Sequence, residues 1–268
     1  MGLLDRRDTC TLLTAVDNHY LDKLCLTFPT WLLCHPELLN MPVLIMYDAD
    51  QVKADDPRFR KLVENWVEQA RKNKISHKLE LQVIPWRQET AESQREKMLT
   101  SLVHAAAYIN TPWYFKLDAD TFANRKTGFY YDRWFRGGPC FIGNPWGYTK
   151  PATALETMNA WKAQVPELAD LPDVQGQVIM RDGQPWKVNH HRMASWTMFG
   201  STAWSQQALT YLEDIKLPFP SQDTYLSYIQ AITQAPWVPV KFRQFGFDHA
   251  RNFNGLKAAC AQSIAENT

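Results

Sequence analysis

The first 120 residues alternate between short apolar runs and segments of helical periodicity, and this alternation constrains the fold more than any other feature. Runs of β type begin near Cys10, Val43, Leu79 and Trp113. After each of the first three runs, apolar side chains recur every three or four residues, as on one face of a helix. Repeated strand–helix units predict a mostly parallel sheet with covering helices.

The helices are predicted to begin and end at specific signals. The first runs from Leu21 and is expected to stop at Pro29, because proline cannot donate the helical hydrogen bond. The second has its apolar face between Phe59 and Ala70. A long third helix is expected over Arg95 to Ile109, and the turn Asn110-Thr111-Pro112 stops it.

After Thr121 the pattern changes, because aromatic residues, glycine and proline crowd together and regular alternation is lost. Such a stretch is typical of pocket-lining loops and short antiparallel strands. Further on, a strand is predicted over Met193 to Phe199, a turn at Gly200-Ser201 and a late strand near Val238 to Phe242. The predicted fold class is α/β, with a Rossmann-like, mostly parallel central sheet, helices on both faces and an irregular, partly antiparallel second half.

Composition sets the broad class of the protein. A chain of 268 residues with 45% hydrophobic residues can bury one large core, so we expect a single domain over 1–268. The 29 basic and 28 acidic side chains nearly cancel, so no overall field attracts nucleic acid or an acidic membrane. The five cysteines form no Cys-x-x-Cys pair, and no stretch reads as a signal peptide or membrane span. We therefore expect a soluble, cytoplasmic protein with reduced thiols.

The sequence Asp-Ala-Asp occurs twice, each time directly after an apolar run. Asp48-Ala49-Asp50 follows the second predicted strand, and Asp118-Ala119-Asp120 follows the fourth. Carboxylates at the carboxyl ends of parallel strands lie where α/β sheets bind phosphates and divalent cations. These two segments are the main candidates for a functional site.

The first copy, with Val52 after Asp50, resembles the nucleophile motif of haloacid-dehalogenase-like phosphatases. In that family the first aspartate attacks phosphorus and the second assists the leaving group. The family also needs a later acidic pair that holds magnesium, and the only adjacent aspartates here are Asp55-Asp56 in the same turn. The phosphatase interpretation is therefore an alternative and not the main hypothesis.

The second copy resembles the metal motif of GT-A glycosyltransferases, and this resemblance covers most of the chain. A long helix, Arg95 to Ile109, precedes the strand and motif Tyr114-Phe115-Lys116-Leu117-Asp118-Ala119-Asp120-Thr121, in the order that the family has. Ser221-Gln222-Asp223-Thr224 matches the family's acidic residue at the start of a later helix. Phe247-Asp248-His249 matches the late histidine that some members use as a metal ligand.

The resemblance implies a hexosyltransferase that moves a sugar from a nucleotide diphosphate sugar, with UDP as the expected carrier, to an acceptor hydroxyl. Residues 1–121 would bind the nucleotide sugar and residues 122–268 the acceptor. The implied site residues are Asp118, Asp120 and His249 for Mn²⁺ or Mg²⁺, Asp17, Asp48 and Asp118 for the nucleotide, and Asp223 as general base. Gln222 stands where many inverting members have an acidic residue, which leaves the stereochemical outcome open.

The sequence does not identify the acceptor, and other functions remain alternatives. A glycan, a lipid-linked sugar, a protein side chain and a nucleic-acid base are all compatible; the last would need a basic patch, for which Arg125-Lys126, Arg133 and Arg136 are candidates. A nucleotidyltransferase would bring a glycine-rich phosphate loop after the first strand, and Ala15 to His19 contains no glycine. A catalytically silent glycan-binding protein is the alternative outside enzymes.

Overall fold

The computed structural model describes residues 7–86, 101–102, 104–128, 130–135, 137–148, 159, 162–163, 169, 177–181, 184–188, 191–210, 233–250 and 252–268. The chain divides into two compact units. The first comprises Met1–Glu89, Ile109–Tyr131 and Phe242–Thr268, and the second comprises Thr90–Tyr108 and Asp132–Lys241. The predicted halves 1–121 and 122–268 do not coincide with these units, because Phe242–Thr268 belongs to the first. The single-domain assignment stays a prediction.

The strands and the longer helices follow one another along the chain. In chain order they are β1 (Cys10–Val16), α1 (Asn18–Cys34), β2 (Val43–Asp48), α2 (Pro57–Lys72), β3 (Leu81–Trp86), β4 (Trp113–Leu117), β5 (Thr121–Ala123), β6 (Phe141–Tyr148), β7 (Gln177–Arg181), β8 (Gln184–Val188), β9 (His191–Ser201), α3 (Thr202–Leu209), β10 (Pro236–Pro239), β11 (Phe247–His249) and α4 (Phe253–Asn267).

Four parallel strands form the sheet of the first unit, in the order β3-β2-β1-β4. Every residue of β1, β2 and β4 is buried, which explains why these strands appear in the sequence as unbroken apolar runs. Strand β3 is partly exposed. It lies at the end of this order, where a proline such as Pro85 is tolerated because no ladder hydrogen bond is needed on one side. The mixed α/β class with a mostly parallel sheet is confirmed.

The helices of the first unit begin at side-chain caps that the sequence supplies. Asp17 accepts a hydrogen bond from the Tyr20 amide at 2.7 Å at the start of α1. Asp56 caps α2, and Asn252 caps α4 in the same way. Such caps satisfy main-chain amides that have no partner within the helix.

Helix α1 continues through Pro29 to Cys34, so the prediction that it would stop at the proline is wrong. The ring removes one hydrogen bond to the preceding turn. Thr30, Trp31 and Leu32 after it are fully buried. The burial of this last turn outweighs the lost bond, a tertiary effect that local sequence does not report.

Strands β5 and β11 form a separate antiparallel pair, and α4 packs beside it. The Ser263 hydroxyl donates to the Ala123 carbonyl at 2.6 Å, and Thr30 of α1 accepts a bond from the Ala123 amide at 3.0 Å. Phe122, Leu256 and Cys260 form a small buried cluster beneath. Strand β5 is thereby fixed from two sides.

The second unit has the strand order β9-β6-β10-β7-β8, with β6–β9 and β7–β8 antiparallel and the other two pairs parallel. Strand β9 contains the predicted strand Met193 to Phe199. The predicted turn at Gly200-Ser201 is wrong, because Ser201 ends the strand and caps α3 directly. The late strand lies at Pro236–Pro239, earlier than predicted.

Two predicted helices fall wholly or partly outside the described residues. Of the helix predicted over Arg95 to Ile109, residues 101–102 and 104–108 are helical. The helix expected after Ser221 lies outside the described residues. Within the described part of the chain, no helix has the length and apolar character needed to span a membrane.

Candidate active site

The Asp-Ala-Asp turn, residues 118–120, connects β4 to β5 in the first unit. The Thr121 amide donates a hydrogen bond to the Asp118 carbonyl at 2.9 Å and closes the turn. Ala119 is fully buried, whereas the side chains of Asp118 and Asp120 keep 18% and 17% of their surface exposed. The turn buries its small residue and leaves both carboxylates partly accessible.

One face of α1 holds this turn in place. Thr27 Oγ1 donates to the Ala119 carbonyl at 2.9 Å, and Trp31 Nε1 donates to the Thr121 carbonyl at 2.6 Å. Both helix residues are fully buried. Because they are four positions apart, they lie on the same side of the helix. The direction of the two aspartates is therefore set by main-chain bonds that α1 makes around them.

A buried lysine pairs with each carboxylate of the turn. Lys23 Nζ of α1 lies 3.3 Å from Asp120 Oδ2, and Lys116 Nζ of β4 lies 2.6 Å from Asp118 Oδ1. Both lysines are among the buried residues, and a buried ammonium is tolerated when a carboxylate pairs with it. The four groups together carry no net charge.

Tyr20 completes this cluster from the first turn of α1. Burial, and then the negative charges of Asp120, Asp118 and Asp17, raise the pKa of its phenol to about 12. The ammonium of Lys23 lies 4.1 Å from the centre of the Tyr20 ring, within the range of a cation–π interaction. The tyrosine is thus a neutral group in contact with the site's charges.

Strand pairing brings His249 beside the turn. In the β5–β11 pair His249 is opposite Thr121, the residue that follows Asp120. Asp248 accepts hydrogen bonds from the His249 amide at 2.9 Å and from Arg243 Nε at 3.0 Å. Among the residues that the structure describes, no group of three His, Cys, Asp or Glu side chains is close enough to hold a metal ion. The ligand role of His249 stays a prediction.

No family model matches this chain, and no curated protein matches it in sequence. Solved structures do match. One is the galactosyltransferase LgtC in complex with donor and acceptor sugar analogues, with a TM-score of 0.54 and 8% identity, covering 95% of both chains. Another is core-mannan synthase A (CmsA/Ktr4) from Aspergillus fumigatus in a Mn/GDP form, with a TM-score of 0.52 and 10% identity, covering 97% of this chain and 85% of that one.

An active-site mutant of LgtC also matches, with a TM-score of 0.50 and 9% identity. The chain has the GT-A fold. At identities of 8–10% the likeness establishes the fold alone.

In this GT-A fold the two other predicted nucleotide-contacting residues have different environments. Asp17 follows β1 and is partly exposed, although its Oδ1 caps α1. Asp48 follows β2 and is 2% exposed. Its Oδ1 accepts from the Asp50 amide at 3.0 Å and its Oδ2 from Gln51 Nε2 at 2.6 Å. Asp17 is the more accessible of the two, and both roles stay predictions. Asp223 lies outside the described residues.

The donor set of the turn fits a hard divalent cation. Two carboxylates supply oxygen ligands of the type that Mg²⁺ and Mn²⁺ take. Both carboxylates are partly exposed, and they are separated by one residue, Ala119, whose carbonyl is hydrogen-bonded to α1. One oxygen of each carboxylate is paired with a lysine ammonium, so a cation would bind close to two positive charges that already balance the carboxylates.

Sequence reasoning missed the residues that support the turn: Tyr20, Lys23, Thr27, Trp31 and Lys116. A signal for two of them exists in the sequence. Lys116 is a charged residue inside the apolar run of β4, and Lys23 lies between apolar positions of α1. A charge in such surroundings needs an opposite charge nearby, and the aspartates of the turn were available for that.

Proposed function

We propose that this protein is a metal-dependent glycosyltransferase that moves a sugar from a nucleotide diphosphate sugar, with UDP as carrier, to an acceptor hydroxyl. The observation that carries the proposal is the Asp-Ala-Asp turn after β4, with both carboxylates partly exposed and braced by α1, in a GT-A fold. Two findings on other proteins support it: LgtC binds donor and acceptor sugar analogues, and CmsA was solved in a Mn/GDP form.

In this proposal Asp118 and Asp120 hold Mn²⁺ or Mg²⁺, with His249 as a further ligand. A divalent cation at this position stabilises the negative charge that builds up on the departing diphosphate. The turn's rigid support fixes both carboxylates before substrate binds, which lowers the cost of ordering the site. Asp17, which is partly exposed, contacts the nucleotide. Asp48 is the weaker of the two nucleotide candidates, because it is 2% exposed and both its oxygens accept bonds within its own turn.

Asp223 acts as the general base of the proposed transfer. It takes the proton of the acceptor hydroxyl as that oxygen bonds to the anomeric carbon. The bond from the anomeric carbon to the diphosphate oxygen breaks on the opposite side, so the configuration inverts. The bonding electrons leave with the nucleoside diphosphate.

The acceptor in this proposal is a glycan or another molecule that carries a hydroxyl. A nucleic-acid acceptor is less favoured, because two of the basic candidates are engaged in the first unit. Arg125 donates to the carbonyls of Arg243 and Gln244, and Lys126 Nζ donates to the Asn267 carbonyl. These bonds fix the two cations against main chain. A cytoplasmic location is proposed on the reduced thiols: all five cysteines lie in described residues, and no disulfide joins them.

Structural observations weigh against the two alternative enzymes. A phosphatase nucleophile must reach phosphorus, and Asp48 is 2% exposed with both oxygens engaged in its own turn. A nucleotidyltransferase needs a phosphate loop, but β1 ends at Val16 and α1 begins at Asn18. A silent glycan-binding protein with this fold is the remaining alternative, which turnover of a UDP-sugar distinguishes.

The first test is calorimetric binding of UDP and GDP, with and without Mn²⁺, to the wild type, to Asp120→Asn and to Asp50→Asn. The Asp50→Asn variant is the matched control, because Asp50 ends the other Asp-Ala-Asp segment and is exposed. We expect Mn²⁺-dependent UDP binding that Asp120→Asn abolishes and Asp50→Asn preserves. Circular dichroism of each variant confirms that the fold is kept.

Three outcomes contradict the proposal. If the wild type binds neither nucleotide under any metal condition, the donor assignment fails. If Asp120→Asn binds UDP and Mn²⁺ as the wild type does, the metal site lies elsewhere. Binding of both nucleotides followed by no transfer from any UDP-sugar or GDP-sugar would favour the silent binding protein.

A further inference from the structure

The Asp-Ala-Asp turn already carries its own positive charges. Lys23 and Lys116 are 4% and 1% exposed, and each ammonium pairs with one carboxylate of the turn. An ammonium buried without a partner costs several kcal/mol, so each lysine depends on its carboxylate before any cation binds. The cluster of two lysines and two aspartates is electrically neutral.

This neutrality has a consequence for metal binding. A divalent cation entering alone would add two positive charges beside two ammonium groups, which repel it and already balance the charge of the carboxylates. A nucleotide diphosphate brings the negative charge that balances the cation. Cation and diphosphate therefore favour each other's binding at this cluster. A cation alone is opposed by the two ammonium groups, and a diphosphate alone is attracted only by those ammonium groups.

The two lysines differ in how firmly they are held. Lys116 lies on the fully buried strand β4 and approaches Asp118 to 2.6 Å. The Lys23–Asp120 distance of 3.3 Å exceeds the 2.7–2.9 Å typical of strong charged hydrogen bonds. The Lys23 ammonium also has the ring of Tyr20 beside it at 4.1 Å, a second favourable contact that does not depend on Asp120. Of the two ammonium groups, that of Lys23 can therefore separate from its carboxylate more easily than that of Lys116.

We propose that Lys23 is a built-in counter-ion of Asp120 that makes metal binding conditional on the nucleotide diphosphate. This inference rests on the proposed function. In the absence of ligands Lys23 neutralises Asp120. When cation and diphosphate bind together, the carboxylate of Asp120 coordinates the cation in place of Lys23, and the ammonium of Lys23 contributes positive charge toward the phosphates.

The test measures Mn²⁺ binding by the electron paramagnetic resonance signal of free Mn²⁺, and UDP binding by calorimetry. Wild type, Lys23→Met and Lys61→Met are compared. Methionine is unbranched and uncharged and only one atom shorter than lysine, and Lys61 is an exposed lysine of α2 that controls for the loss of one charge. For the wild type we expect UDP to tighten Mn²⁺ binding by about 5-fold or more.

The Lys23→Met variant is expected to change the two single-ligand affinities in opposite directions. Mn²⁺ alone should bind about 5-fold or more tightly than to the wild type, because Asp120 is released. UDP alone, with EDTA present, should bind more weakly, because one positive charge is gone. The coupling between Mn²⁺ and UDP should shrink accordingly, and Lys61→Met should behave as the wild type does.

The outcomes separate this inference from the proposed function. If Mn²⁺ and UDP bind cooperatively to the wild type and Lys23→Met leaves both single affinities unchanged, the inference is wrong and the proposed function stands. If the wild type binds neither ligand, the proposed function fails. Should Lys23→Met not fold, Lys23→Gln replaces it. Tight Mn²⁺ binding by the wild type without UDP overturns the inference independently of any variant.

Discussion

Replacing Thr27 by valine tests whether α1 positions the Asp-Ala-Asp turn. Valine has nearly the same shape as threonine, so the substitution removes the hydroxyl without opening a cavity. The lost bond is the one to the Ala119 carbonyl, at 2.9 Å, made by a side chain that is fully buried. Leaving a buried carbonyl without its donor costs about 1–3 kcal/mol.

This cost should appear in both stability and binding. For a chain of this length, 1 kcal/mol lowers the melting temperature by about 2–4 °C, so the expected decrease is roughly 2–12 °C. The turn also loses part of its support, so we expect weaker Mn²⁺-dependent UDP binding. Thermal unfolding followed by circular dichroism and calorimetric titration measure the two effects.

The matched control is Thr210→Val. The Thr210 hydroxyl likewise donates to a main-chain carbonyl, that of Gln207 at 2.7 Å, but this bond is exposed. Water replaces an exposed partner, so the control should change stability by less than about 0.5 kcal/mol. If Thr27→Val has the same melting temperature as Thr210→Val and binds UDP as the wild type does, the turn does not depend on this bond and the reasoning is refuted.

Two further predictions concern thiols and acid stability. In the native protein only Cys25 should react with a thiol reagent, and slowly, because the other four cysteines are buried and burial raises the pKa of Cys260 to about 12. After denaturation all five thiols should react. Rapid labelling of two or more thiols in the native protein would contradict this burial. The bond from Arg58 lowers the pKa of Asp56, so that pair contributes stability above the ordinary carboxyl pKa and loses it as pH falls through the lowered value. The difference in urea stability between wild type and Arg58→Ala should therefore shrink below about pH 4; a difference that stays constant with pH would argue against the pair.

The strands and the candidate turn could be predicted because their signals are local. A strand buried on both faces is an unbroken apolar run, and the Asp-Ala-Asp turn follows such a run at Leu117. The continuation of α1 beyond Pro29 could not be predicted in this way. It depends on what Trp31 and its neighbours pack against, and helical periodicity does not specify that partner.

The support of the turn escaped prediction for a related reason. Periodicity shows which side of α1 faces inward, but Lys23, Thr27 and Thr30 are polar residues on a buried face. Thr27 and Thr30 interrupt the apolar pattern without a signal of their own, and the charge of Lys23 indicates that it needs a partner without indicating which one. Their partners, Asp120, Ala119 and Ala123, lie more than 90 positions further along the chain. Only the tertiary fold brings them together.

These distant partners determine when the turn acquires its shape as the chain folds. The Thr27 bond to Ala119 closes a loop of 92 positions, and the Ser263 bond to Ala123 closes one of 140. Contacts at such separation form slowly, because the chain loses conformational entropy on closing the loop before the contact can stabilise it. We therefore expect the carboxylates of the turn to reach their native positions only after the local helices have formed, together with the long-range strand pairing of their unit.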